Sequence, residues 1–159
     1  MCRRGSSEVY RQELCFFYSG VTVNTTEIKQ KVLKAIEARR ADIEAIALAI
    51  LQEPELGYKE FKTSAKVRAA FDALGLEYTT GWGITGIKAR IKGAKPGKTV
   101  AVIGELDAVI CKNSPYAAQN GAAHCCGHNV QIANMMAVAW ALVDSGVMSE
   151  LAGEEVFFA

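Results

Sequence analysis

The segment His124–Asn129 contains both histidines of the chain and two of its five cysteines. It lies between a strand-like run that ends at residues 105–107 and an apolar, helix-like run from Val130 to Val143. Imidazole and thiolate are the side chains that zinc-type metals favour most. Gly127 gives the backbone the freedom to turn tightly between the last cysteine and the last histidine. The segment therefore predicts a metal-binding loop between a strand and a helix.

Cys126 and His128 are the best candidates for metal ligands in this loop. Their spacing allows both side chains to reach one ion when the backbone turns tightly. Zinc prefers four ligands, so further ligands must come from elsewhere. Glu105, Asp107 and His124 are the candidates for them within this chain, and the two carboxylates stand two residues apart at a strand end, where they would project to the same side.

Other interpretations of the same residues stay open. The loop could be an ordinary one, in which Cys125 and Cys126 are small core residues and the histidines bond backbone groups. A disulfide between these adjacent cysteines is a further interpretation, although its geometry would be strained. Asn129 fits two roles, as the N-cap of a helix that begins at Val130 and as a partner that orients His128.

Composition narrows the class of protein. The chain has 159 residues, enough for one domain with a substantial core, and half of them are apolar. A net charge of +1 gives no electrostatic reason to expect nucleic acid or an anionic membrane as a partner. No apolar run approaches the roughly 20 residues that span a bilayer. Five cysteines without a repeating spacing favour a reducing cytoplasm over a secreted disulfide framework.

The pattern of apolar and turn-forming residues predicts an α/β layered domain. Asn24 and Glu27 resemble a capping box at the start of a long helix. The predicted elements are helices over 24–52, 63–74 and 130–144, strands over 76–80, 84–91, 99–106 and from 155 onwards, and a loop over 107–123.

Two further motifs have plain structural interpretations. Residues 81–86 match the glycine spacing of a dinucleotide-binding loop, but a strand-like run follows them where that loop requires a helix. We therefore expect a turn between two strands, with Trp82 packed at its tip. Glu154 and Glu155 resemble a catalytic carboxylate pair, but they directly precede a strand-like run, which favours a solvated turn.

The two ends of the chain predict its domain organisation. Residues 1–23 contain an apolar patch that is too short for a secretory signal, so we expect a leader or a disordered extension there. The last four residues are an apolar run that resembles an interrupted strand. We expect residues 24–159 to be the N-terminal part of a longer catalytic domain.

Four segments resemble the aminoacylase, carboxypeptidase and aminobenzoyl-glutamate hydrolase family, the dinuclear metallo-amidohydrolases of peptidase clan MH. Residues 54–64 are similar to its "PELG…E…TS" segment, and residues 81–86 to the hairpin that follows its second helix. Residues 104–108 resemble its "G-E-x-D-A" strand end. Residues 121–129 resemble its "G-x-x-H-x-C-G-H-N/D" metal loop, except that Cys125 stands where the family usually has alanine or a similar small residue.

The resemblance implies a zinc-peptidase-like fold and two divalent metal ions, with zinc as the first choice and manganese, cobalt or nickel as alternatives. It implies that Cys126 and His128 are metal ligands. Glu105, Asp107, His124 and Asn129 are then candidates for supporting or substrate contacts. The family's catalytic glutamate pair would follow Ala159, so the resemblance places it, the lid or dimerisation domain and the remaining ligands outside this truncated chain.

The implied activity is hydrolysis of an amide bond in an N-acyl amino acid or a dipeptide-like substrate, by a parent protein that could be a homodimer. One glutamate of the implied pair would serve as general base toward the attacking water. We expect the isolated chain to be inactive. The alternative hypothesis is a non-catalytic fragment or pseudoenzyme that acts as a binding or assembly module.

Overall fold

The computed structural model describes residues 24–159, and the leader expected over residues 1–23 lies outside this part of the chain. The described part forms four α-helices, one short 3-10 helix and six strands. The helices are α1 (Thr25–Ala38), α2 (Arg40–Leu51), α3 (Phe61–Ala73) and α4 (His128–Ser145), with the 3-10 helix at Val147–Ser149. The strands are β1 (Tyr78–Trp82), β2 (Gly86–Lys92), β3 (Lys95–Ile103), β4 (Val109–Ile110), β5 (Ala122–Ala123) and β6 (Ala152–Phe158).

The strands form a mixed sheet in the order β1-β2-β6-β3. Strand β6 is antiparallel to β2 and parallel to β3, so it separates two strands that are consecutive in sequence. Strands β4 and β5 form a separate ladder within the segment that was predicted as an irregular loop. Helices α3 and α4 pack on the four-stranded sheet, and α1 and α2 pack on α4. The predicted α/β layered fold is confirmed.

The prediction of one continuous helix over residues 24–52 is wrong, because the chain bends at Arg39. Asn24 caps α1 as expected, since its side chain accepts a hydrogen bond from the Glu27 amide. At the bend, the Arg39 guanidinium donates to Asp42 in α2 and to Asp144 at the end of α4. These ion pairs fix the junction of the first two helices against α4.

The core lies between the sheet and the helices α3 and α4. Phe71 of α3 is fully buried, and its ring lies 6.1 Å from the ring of Tyr78 and 6.2 Å from that of Phe157. Helix α4 is apolar on most of its surface because it contacts the sheet on one side and α1 and α2 on the other. None of the helices in residues 24–159 has the length and apolar content that crossing a membrane requires.

The two motifs with structural interpretations have different outcomes. Residues 83–85 form the turn between β1 and β2, as predicted, and Trp82 beside it packs edge-on against Phe158. The solvated turn predicted at Glu154 and Glu155 is wrong, since both residues lie inside β6. Glu154 accepts hydrogen bonds from Thr99 and Arg90 on the neighbouring strands, and these bonds, that of Thr99 first, lower the pKa of its carboxyl.

Truncation of the core phenylalanine tests this packing. The variant Phe71→Ala should lose about 3 to 5 kcal/mol of unfolding free energy, because it removes a fully buried ring and leaves a cavity. Phe61→Ala is the matched control, since Phe61 belongs to the same helix and is 61% exposed. It should change the unfolding free energy by no more than about 0.5 kcal/mol. Urea denaturation of both variants measures the difference, and equal losses would contradict the described core.

Candidate metal centre

His128 lies between two carboxylates. Its Nδ1 atom is 2.8 Å from Asp107 Oδ1 and 2.9 Å from the Asp107 carbonyl oxygen, and its Nε2 atom is 3.0 Å from Glu105 Oε2. Both neighbours of Nδ1 are hydrogen-bond acceptors, so Nδ1 carries the ring proton and donates a hydrogen bond to Asp107. A neutral imidazole then has only a lone pair at Nε2, and this lone pair faces the carboxylate of Glu105. The two groups repel each other unless a proton or a metal cation lies between them.

The start of α4 positions this imidazole. Gly127 is the N-cap of the helix and has a φ angle of 79°, which side chains rarely tolerate, so the helix begins at His128. Both roles predicted for Asn129 are therefore corrected. It is a buried residue in the first turn, and its amide donates to the Ala47 carbonyl oxygen, 3.3 Å away, instead of capping the helix or contacting His128.

A close backbone approach brings the carboxylates to α4. At Gly104 a Cβ atom would lie 2.9 Å from the Cδ1 atom of Ile132, so a larger residue between the end of β3 and the helix would require that side chain to shift. The Glu105 amide beyond it donates to the Gln131 side chain. Strand β3 ends at Ile103, so Glu105 and Asp107 lie in the segment after the strand and approach the same imidazole from opposite ring nitrogens.

The loop before α4 exposes its cysteines and buries its first histidine. Cys125 and Cys126 are both free thiols on the surface, so neither the core interpretation nor a bond between them holds. His124 is 7% exposed, and neither of its ring nitrogens has a hydrogen-bond partner in the described residues. Burial, and after it the nearby His128, lower the pKa of this imidazole. Its neutral nitrogens are thus free to bind a further group.

The "PELG" segment holds the backbone beside Asp107 in place through hydrogen bonds. The Ala108 amide, one residue after Asp107, donates to the Glu55 carbonyl oxygen over 2.7 Å. The Glu55 carboxylate accepts hydrogen bonds from the amides of Lys62 and Thr63 and from the Thr63 hydroxyl, so it caps the N-terminus of α3. The segment thereby fixes the backbone beside Asp107 to the first turn of a core helix.

A second glutamate of this segment connects it to the turn at residues 83–85. Glu60 is buried, and its carboxylate accepts hydrogen bonds from the Tyr58 amide and from the Thr85 hydroxyl. A cleft of about 520 Å³ lies between this turn and the residues after β3. Its walls include Tyr58, Trp82, Glu105 and Asp107. The carboxylates that contact His128 therefore open onto a space large enough for a small molecule.

The donor set fits a zinc-type metal but forms an incomplete shell. A thiol at Cys126, an imidazole at His128 and a carboxylate at Glu105 are all zinc ligands in proteins. Within residues 24–159, however, no three histidine, cysteine, aspartate or glutamate side chains are arranged to hold a metal ion. The geometry can orient a ligating histidine, and the remaining ligands would have to come from outside these residues.

The sequence interpretation missed three supporting residues. Glu55 and Glu60 belong to the quoted "PELG" segment, and a carboxylate shortly before a helix could have indicated the cap at Glu55. Cys111 was counted only for composition. The neighbouring Cys125 thiol, and after it burial, raises the pKa of the Cys111 thiol. No local pattern indicated that these two cysteines lie near each other.

The remote cap yields a stability prediction. Glu55→Ala should destabilise the chain by about 1 to 2 kcal/mol, because the first amides of α3 lose their acceptor. Glu53→Ala is the matched control, since this nearby glutamate makes only surface ion pairs with Lys62 and Lys66. It should cost much less than the loss of the cap, because solvent screens these surface ion pairs. Urea denaturation compares the two, and a larger loss at Glu53 would show that the cap is unimportant.

The chain is similar in sequence to curated proteins. It is 36% identical over 99 residues to thermostable carboxypeptidase 2 of Saccharolobus solfataricus. The aligned segment covers 59% of this chain and 25% of that protein. It is 30% identical over 96 residues to the N-acetylcysteine deacetylase of Bacillus subtilis, covering 57% of this chain and 25% of the relative. The chain thus spans about a quarter of the length of these curated relatives.

The fold is also similar to that of a solved structure. The Bacillus subtilis protein YxeP, described as a dinuclear metal binding peptidase from the M20 family, superposes with a TM-score of 0.67 at 26% identity. The match covers 77% of this chain and 35% of YxeP. No family model matches the chain. The relatives and the fold together confirm the resemblance seen in the motifs: the chain is similar to carboxypeptidases and deacetylases in sequence, and to a dinuclear metal binding peptidase of the M20 family in structure.

Proposed function

We propose that the complete protein hydrolyses an amide bond in an N-acyl amino acid or a dipeptide-like compound, with the help of divalent metal ions. The observation that carries this proposal is the imidazole of His128, held by Asp107 on one side and facing Glu105 on the other, two residues after the exposed Cys126. The names of the relatives support the reaction class, since they include a carboxypeptidase and a deacetylase of acylated cysteine.

Cys126 and His128 are the proposed metal ligands of this chain. YxeP is described as binding two metals, and we propose the same number here. Zinc is the first choice because a thiolate and an imidazole are its preferred donors, whereas manganese, cobalt and nickel remain alternatives. Bound metals of this kind lower the pKa of water to about 7 and polarise the carbonyl group of the substrate.

The residues of this chain would prepare the site rather than transfer the proton. Asp107 accepts a hydrogen bond from Nδ1–H of His128, which fixes the ring orientation and leaves the Nε2 lone pair available to a metal. Glu105 places negative charge beside that lone pair and so favours a cation there. We propose that the general base is a glutamate of the complete protein outside these residues, as the family resemblance implies.

The cleft beside Glu105 and Asp107 supports a small-molecule substrate. Its volume of about 520 Å³ lies in the range of small-ligand sites, and Trp82 and Phe158 contribute apolar wall next to the carboxylates. We also propose a cytoplasmic location, because five cysteines without a framework spacing suit a reducing compartment.

Zinc binding by the 159-residue chain tests the ligand assignment. The wild-type chain should bind zinc weakly, because fewer than four ligands are present. Cys126→Ser and His128→Ala should each lower the affinity by at least about tenfold, since each removes a ligand. Equilibrium dialysis with zinc, under a reductant that does not chelate metals, measures the affinity.

The matched control is Cys125→Ser, which changes the adjacent exposed thiol. It should bind zinc as the wild type does, within about threefold. Tight stoichiometric binding that survives both Cys126→Ser and His128→Ala would show that the ligands have been assigned to the wrong residues.

Catalysis has to be tested on the complete protein that contains this chain. It should release amino acids from N-acetyl amino acids, and a chelator should abolish the release until zinc or manganese is added back. Release of product that is insensitive to chelation would overturn the metal-dependent mechanism. Metal binding at Cys126 and His128 without turnover of any N-acyl amino acid or aminobenzoyl-glutamate would instead support the non-catalytic alternative.

A further inference from the structure

We infer that Tyr58 contacts the acyl group of the substrate and gives the site a preference for an apolar one. The inference rests on the proposed function, since it states which half of the amide substrate enters the cleft beside Glu105 and Asp107. Tyr58 lines this cleft and is 70% exposed. Its ring is therefore available to a ligand.

The backbone of Tyr58 adopts a conformation that side chains rarely tolerate. The Lys59 amide donates to the Leu56 carbonyl oxygen over 3.0 Å and closes a turn over residues 56–59. Tyr58 is the third residue of this turn and has a φ angle of 64°, a position that favours glycine or asparagine. A bulky residue at such a position costs free energy, and residues of this kind concentrate at ligand sites. The conformation therefore indicates that the tyrosine side chain serves a ligand.

Hydrogen bonds to buried groups hold Tyr58 in place. Its amide donates to the buried Glu60 carboxylate over 2.8 Å, and the Thr85 hydroxyl donates to the same carboxylate over 2.6 Å. The Ser64 hydroxyl donates to the Thr85 carbonyl oxygen over 2.7 Å. These bonds connect the turn at residues 56–59 to α3 and to the turn between β1 and β2. The ring of Tyr58 is thereby presented to the cleft by a backbone that is fixed on two sides.

The charges of the cleft decide which half of the substrate fits. Among the described residues that line it, Glu60, Glu105 and Asp107 carry carboxylates, and none is a lysine, an arginine or a histidine. N-acyl amino acids and dipeptide-like compounds carry a carboxylate of their own on the amine side of the scissile bond. Like charges repel, so the cleft disfavours that half of the substrate. The acyl half, which carries no negative charge, fits the cleft better.

The remaining walls of the cleft favour an apolar acyl group. Trp82 is 47% exposed and Ile103 is 66% exposed, and both line the cleft together with Phe158. An acetyl group would leave most of the volume of about 520 Å³ empty. Each further methylene group that leaves water for an apolar wall raises the affinity up to about fourfold. We therefore expect a longer acyl group to bind more tightly than an acetyl group.

Ile84 is a matched control for Tyr58. It is the other non-glycine residue with a positive φ angle in the part of the chain that the structure describes, at 83°, and it is 62% exposed. It lies in the turn between β1 and β2, where its neighbours Gly83 and Thr85 line the cleft but Ile84 itself does not. The two residues therefore share an unfavourable backbone conformation and exposure, and they differ in their contact with the cleft.

Replacement by glycine separates a ligand contact from a packing role. Tyr58→Gly and Ile84→Gly should each keep the midpoint of urea denaturation of the 159-residue chain within about 0.3 M of the parent, or raise it. The reason is that glycine adopts a positive φ without steric cost, which offsets its greater freedom in the unfolded chain. A clearly lower midpoint for Tyr58→Gly alone would show that the tyrosine packs within the chain, and it would overturn the inference.

Two isomeric ligands test which half of the substrate enters the cleft. N-hexanoylglycine carries its alkyl chain on the acyl group, N-acetylnorleucine carries it on the amino acid, and both have one carboxylate. Their binding to the 159-residue chain is followed by NMR at the indole N–H of Trp82, which donates to the Thr79 hydroxyl, with the buried Trp140 as reference. N-hexanoylglycine should bind at least about fivefold more tightly than its isomer. Tyr58→Gly should reduce this preference to less than about twofold, and Ile84→Gly should keep it.

Equal affinities, no shift of the Trp82 signal with either ligand, or a preference that survives Tyr58→Gly or is lost in both variants would each overturn the inference. In the complete protein, Tyr58→Gly should lower the ratio of kcat/KM for N-hexanoylglycine to that for N-acetylnorleucine at least about fivefold, and Ile84→Gly should keep this ratio within about twofold. No turnover of either compound, with the binding preference intact, would refute the proposed function alone. Turnover with a ratio that Tyr58→Gly leaves unchanged would refute only the role of Tyr58.

Discussion

Helix α4 is the element on which the rest of the structure depends, because it contacts α1, α2, α3 and the sheet. Its first residue is His128, so the same packing that forms the core also places the imidazole. Gly104 lets the end of β3 pack closely against this helix, because a side chain at position 104 would clash with that of Ile132. The position of the candidate metal ligand thus follows from core packing and needs no separate support from a flexible loop.

The site contains more hydrogen-bond acceptors than donors, an arrangement that favours a cation. Asp107 and Glu105 direct two carboxylates at one imidazole, which as a neutral ring can donate only one hydrogen bond. His124, buried nearby, has two ring nitrogens without partners among the described residues. An unpaired lone pair and a facing carboxylate cost free energy in a partly buried place. Either a proton on Nε2 or a divalent ion at this position would offset that cost, and the second case corresponds to the proposed metal site.

Local chemistry explains what the sequence predicted and what it could not. The sequence named Glu105, Asp107 and His128 as candidates, and the structure brings these three together, whereas metal binding stays a prediction. The glycine-rich turn was predicted because a strand-like run follows it. Sheet order escaped prediction, since the insertion of β6 between β2 and β3 depends on contacts between distant segments. The bend at Arg39 was missed because the ion pair with Asp144 joins residues that are far apart in sequence. Asn129 was misassigned because a glycine with positive φ supplied the cap instead.

The metal loop shows how tight turns give neighbouring side chains different environments. Two short-range hydrogen bonds close the turns around His124, one from the Cys125 amide to the Ala123 carbonyl oxygen and one from the Gly127 amide to the His124 carbonyl oxygen. The side chain of His124 is buried, whereas Cys125 and Cys126 directly after it are exposed. A small residue at position 125 would not alter the donors that the motif predicts, namely Cys126 and His128. The candidate donors are therefore independent of the one position at which this loop departs from the pattern that it resembles.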